Sequence, residues 1–149
     1  LFGSTWVVNS FVFGSILVML FLANLILIKG EIKHIRMVYF ALGITLVLNY
    51  LVPGSYFLGL GYWIGSICAS MLTALPIFFS ALVFSYHFKR VISENISLMY
   101  GMNLAGAVFG GFLEYGSMLL GLRMLYILAG ILYLVSFLIL IYSDKSNAN

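Results

Sequence analysis

The chain has 149 residues, 64% of them hydrophobic and 7% charged, with a formal net charge of +3 and a mean hydropathy of +1.16. A soluble domain carries roughly 25% charged residues, so this chain lacks the polar surface to cover itself in water. Its seven Lys/Arg are too dispersed for a nucleic-acid patch, and no nucleic acid is expected as a partner.

The chain opens Leu1-Phe2-Gly3, without an initiator Met, a basic n-region or a small-residue cleavage site. It is therefore expected to be a piece of a longer protein. A spanning helix needs about 20 apolar residues. The first such run covers 5–28 and is followed by Lys29, Lys33 and Arg36. The second, 37–52, is the shortest and is stopped by Pro53-Gly54. Either it begins inside the basic loop or part of 55–61 is also buried. The third run, 62–86, leads to Lys89 and Arg90. The fourth, 98–120, and the fifth, 122–142, are separated by a turn expected at Gly121. Residues 143–149 form a polar tail expected to fray.

The expected fold is all-α: a polytopic transmembrane helix bundle of about five spanning helices over 1–142, with 143–149 a cytoplasmic tail. The runs are about twice the length of a barrel strand and do not alternate, which excludes a β-barrel. If the five helices alternate, Lys29, Lys33, Arg36, Lys89, Arg90 and Lys145 share one side and Arg123 lies on the other. Basic residues favour the cytoplasm, so the N-terminus is expected outside and the C-terminus inside, in a cell (inner or plasma) membrane. Trp6, Tyr56, Tyr62 and Trp63 fall at the expected outer boundary, where amphipathic rings settle. The lipid bilayer is the first expected partner.

In the third run Ser66, Ser70, Thr73 and Ser80 share one face, with Ile77 between them. Pro76 sits one position away and should kink the helix and free a backbone carbonyl. Such a stripe is either a polar cavity wall with a hinge, or small residues packing closely with hydroxyls bonded back to their own helix. The second is preferred, because Ser and Thr are enriched at ordinary transmembrane interfaces. Cys68, alone of its kind, is expected to be a small buried residue.

The fourth run carries the most information. At 100° per residue, Asn103, Ala107, Gly110, Glu114 and Ser117 share one narrow face, and Gly106 at its edge makes a GxxxG with Gly110. Small residues let another helix approach backbone to backbone, so this helix is expected to pack centrally, with that face against protein. Glu114 is the acid deep in a span. A charge there is costly, so it should face the bundle interior, be protonated, or have a partner. It is either a proton or cation site lining a cavity, or a carboxyl that meets Arg123 or a neighbouring helix. Asn103 reads as a contact between helices. His34 and His87 lie among basic residues at the cytoplasmic border and are read as interfacial. Asn24 and Asn49 lie near helix ends and are read as caps or interhelix contacts.

The sequence holds no Gly-rich phosphate loop, HExxH, CxxC pair or GxSxG. The single Asp, Asp144, is in the tail, so no Ser/His/Asp set assembles. No catalytic, cofactor-binding or metal-binding residue is assigned, no cofactor is expected, and the chain alone is not expected to catalyse a reaction.

Several stretches carry a family resemblance. They are Leu1-Phe2-Gly3-Ser4-Thr5-Trp6-Val7-Val8-Asn9-Ser10, Leu22-Ala23-Asn24-Leu25, Asn49-Tyr50-Leu51-Val52-Pro53 and Ala74-Leu75-Pro76-Ile77-Phe78-Phe79. The strongest runs from Asn103 through Gly110-Gly111 to Tyr115, followed by Gly121-Leu122-Arg123-Met124-Leu125-Tyr126. In order and spacing they resemble bacterial polytopic spermidine synthase-like membrane proteins, including fused major-facilitator forms, over essentially the whole chain. The resemblance implies a C-terminal membrane region, a further helix before Leu1, and an associated soluble domain like an S-adenosylmethionine-dependent aminopropyl- or methyltransferase. That domain's glycine-rich cofactor loop and acidic substrate residues are not in this sequence, so no catalytic residue is carried over.

The expected function is thus an integral membrane module that anchors or pairs with a transferase-like domain, alongside further transmembrane helices of the same parent protein. The alternatives are half of a secondary transporter for a small solute, with Glu114 lining the path, and a structural membrane assembly subunit.

Overall fold

The computed structural model describes residues 6–30, 32–53, 55–91, 96–121 and 123–146. Expectations that fall on 1–5, Gly54, Leu122 and 147–149 lie outside them. Among the described residues six helices form: α1 (Trp6–Lys29), α2 (Ile35–Leu51), α3 (Ser55–Leu58), α4 (Tyr62–Val91), α5 (Ile96–Leu120) and α6 (Arg123–Ser146). No strand occurs among the described residues.

Among the described residues four helices contain segments long and apolar enough to cross a membrane: Asn9–Ile28, Trp63–Lys89, Ile96–Met118 and Arg123–Lys145. The second expected span is shorter. At 1.5 Å per residue, the 17 residues of α2 reach about 25 Å, against a hydrocarbon core of about 30 Å. It begins inside the basic loop, at Ile35, and ends at Leu51. Val52 is extended (φ −77°, ψ 108°), as the ring of Pro53 requires of the residue before it. The single turn of α3 follows.

Two helix ends differ from expectation. Helix α4 runs on past Tyr86 through Lys89 and Arg90 to Val91. Helix α6 passes Tyr142 and includes the tail as far as Ser146. In both, basic residues occupy the last turns, where their charge complements the negative end of the helix dipole.

The chain divides into two compact units, 1–86 and 87–149. In the first, α1 contributes Met19 and Ala23 to the core, α2 contributes Ile35, Tyr39, Leu42 and Leu46, and α4 contributes Ala69, Ala74, Leu82 and Val83. The α2 positions recur every three or four residues, so one face of that helix is buried, and Leu42 is sealed at 0% exposure. The rings of Phe11 and Trp63 meet edge to face at 6.0 Å and tie α1 to α4.

In the second unit α5 and α6 pack together. Helix α5 ends at Gly121, whose φ of +84° is a left-handed conformation open to glycine without steric cost. The Gly121 N–H donates to the Ser117 carbonyl at 2.7 Å, closing the helix as a left-handed C-cap, and the Gly121 carbonyl accepts from Met124 N–H at 3.1 Å as α6 begins. The rings of Phe88 and Tyr100 lie edge to face at 5.8 Å and join the end of α4 to the start of α5.

Large apolar side chains face outward on every long helix, with Phe112 at 71% and Met118 at 83% exposure. Apolar surface this extensive is out of place in water and suits lipid. The chain is an α-helical membrane protein.

Candidate functional site

Polar side chains converge in the first unit where α2 meets α4. A helical N–H donates to the carbonyl four residues earlier, and Pro76 has no N–H, so the Leu72 carbonyl loses its donor within α4. Asn49 of α2 supplies one: its Nδ2 donates to the Leu72 carbonyl at 3.0 Å. The same nitrogen donates to the Thr45 carbonyl at 2.9 Å, and the buried Thr45 hydroxyl donates to the Leu42 carbonyl at 2.8 Å. Asn49 is thus an interhelix contact. Sequence reasoning passed over Thr45; its place four residues before Asn49 and three after Leu42, on one face of α2, was the available signal.

The α4 stripe flanks this contact. Ser66 and Ser70 are buried, at 2% and 4% exposure, and so is Pro76. The half-buried Thr73 and Ser80 hydroxyls bond back to their own helix, to the Ala69 and Ile77 carbonyls, each at 2.9 Å. Cys68 corrects an expectation. It is exposed, on the outward face of α4 with Ile64, Ile67 and Met71, because it lies one residue off the buried 65, 66, 69, 70 face.

The α5 face also differs from expectation. Asn103, Gly106, Ala107, Gly110 and Glu114 are all exposed, and Ser117 is half-buried. A side-chain carbon placed on Gly106 or Gly110 would meet no atom within 4 Å. The close packing expected there is absent among the described residues. The glycines leave a shallow open stripe instead. Glu114 has no hydrogen bond or ion pair among the described residues, so the exposed Arg123 is not its partner there.

His34 precedes α2, is exposed, and its side chain makes no cap bond. His87 lies half-buried near the end of α4, and Asn24 is exposed on α1. No group of three His, Cys, Asp or Glu gathers among the described residues.

Together the helices and this arrangement define a polytopic α-helical membrane protein in which, among the described residues, a polar contact joins α2 to α4 and a polar face of α5 lies open. No family model, curated protein or solved structure matches the chain.

Proposed function

We propose that this chain is the membrane module of a larger spermidine synthase-like protein, anchoring a transferase-like domain and taking up a further transmembrane helix along α5. The open α5 face carries this reading. Asn103 and Glu114 stand in an apolar span without protein cover among the described residues, which costs at least a few kcal/mol for a charged carboxyl. Between them Gly106 and Gly110 leave room for a second backbone. A partner helix offering a hydrogen-bond donor removes the cost and fills the room. The resemblance supplies the identity of the soluble domain.

The module crosses the membrane five times in this proposal, with its N-terminus outside and its C-terminus inside the bacterial inner membrane. Helix α2 must cross, short as it is. Otherwise the basic residues after α1 and those ending α4 would lie on opposite sides, against their cytoplasmic preference. Local thinning of the bilayer or the added turn of α3 makes up the few missing ångströms.

Purification of the full-length protein from its own membranes in mild detergent tests the proposal, comparing wild type with Gly110→Leu. Wild type is expected to bind S-adenosylmethionine and to retain its partner helices. Gly110→Leu is expected to keep its helicity and lose the partner. Absence of S-adenosylmethionine binding removes the transferase reading.

Glu114, without a partner among the described residues, favours a second reading, a transporter half in which this carboxyl carries a proton or cation. Glu114→Gln then abolishes coupled uptake while the protein stays folded. If neither S-adenosylmethionine binding nor uptake is found, a structural assembly subunit is the reading that stands.

A further inference from the structure

We propose that α4 contains a hinge at Pro76 and that Asn49 of α2 is its latch. Three residues that loosen a helix fall close together in α4. Pro76 removes a backbone bond, and the Thr73 and Ser80 hydroxyls press on carbonyls of their own helix, which bends helices. An interrupted helix in lipid needs another donor for the freed carbonyl, because no water is there to supply one. Asn49 provides it, and from a different helix. The backbone bond missing at Pro76 is therefore replaced from α2.

The latch is itself held in place. Both hydrogens of the Asn49 amide are engaged, one on Leu72 and one on Thr45, and Thr45 is fixed by its own bond to Leu42. The carboxamide thus meets α4 pre-oriented by a buried run on α2. When Asn49 lets go, the Leu72 carbonyl has no donor within α4, and the part of the helix beyond Pro76 is free to swing.

A contact unrelated to the missing bond would matter equally whether or not residue 76 is proline, and the distance distribution separates a latch on a hinge from a static cap. The test is a double-mutant cycle in the full-length protein, with Asn49→Ala, Pro76→Ala and both together. Each is made in a Cys68→Ser background with spin labels at Ile67→Cys and Phe84→Cys, which lie on exposed positions on either side of Pro76. Asn49→Ala alone is expected to lower the unfolding midpoint by several degrees and to broaden the distance distribution between the labels. Pro76→Ala restores a backbone N–H at position 76, which closes onto the Leu72 carbonyl. In that background Asn49→Ala loses most of its effect and the distribution narrows again. If Asn49→Ala alone does not accumulate, recovery of folded protein on adding Pro76→Ala supports the latch, and no recovery overturns it. Equal effects of Asn49→Ala in both backgrounds, or an unchanged distance distribution, also overturn it.

Discussion

Asn49 on α2 donates to the Leu72 carbonyl at 3.0 Å, the carbonyl that Pro76 leaves without its helical donor. An orphaned buried carbonyl costs about 1–3 kcal/mol. Asn49→Ala is accordingly expected to destabilise the protein by about that much. Thr45→Val, which removes a hydroxyl bonded only to its own helix, is expected to cost under about 1 kcal/mol. Thermal unfolding in detergent ranks the two. Equal losses would mean that the contact to Leu72 has no special weight.

Two glycines are expected to respond in opposite ways. Gly121 adopts φ +84°, so Gly121→Ala forces a side chain into the left-handed region at about 1–2 kcal/mol. Gly106 lies in open helix with no atom within 4 Å of an added methyl. Gly106→Ala therefore costs nothing locally and gains up to about 1 kcal/mol of helix propensity, while association through α5 weakens. Unfolding midpoints read the first effect, and the apparent mass of the purified complex reads the second.

Leu42 has 0% exposure and Phe112 has 71%. Leu42→Ala leaves a cavity and is expected to cost about 2–5 kcal/mol. Phe112→Ala exchanges one lipid contact for another and is expected to cost much less. A loss at Phe112 as large as that at Leu42 would show that the α5 surface is covered by protein on that side too.

Five crossings are checked with single cysteines in a Cys68→Ser background and a membrane-impermeant maleimide. Labels at Ser55 and Arg123 are expected to react from outside. Labels at Lys33, Lys89 and Lys145 are expected to react only after permeabilisation. Reaction of Lys33 and Ser55 from the same side would show that α2 does not cross.

The helices were legible because lipid imposes a simple rule: every backbone bond is made within the segment, so long apolar runs become helices. Gly121 and Pro53 were legible as punctuation because their backbone chemistry is local. Pro76 announced a free carbonyl, but not its partner. That partner is 23 positions away in sequence, and only the register of α2 on α4 brings it near. Register depends on packed faces, and in helices this uniformly apolar the inward face is weakly marked, which is also why Cys68 was read as buried and is exposed. The α5 stripe was legible as a small-residue face, but its spacing carries no information about whether the covering helix belongs to this chain.

The most direct test of the module reading is the environment of Ala107, next to Gly106 and about two helical turns before Glu114 on the open α5 face. A nitroxide at Ala107→Cys in native membranes, in a Cys68→Ser background, is probed with oxygen, which partitions into lipid, and with a water-soluble nickel chelate. Labels at Phe112 and Met118 serve as lipid references. A partner helix over α5 predicts that position 107 is shielded from both reagents while 112 and 118 respond to oxygen. Oxygen access at 107 equal to that at 112 would contradict the proposal, and access to the nickel chelate would place Glu114 on an aqueous path and favour the transporter instead.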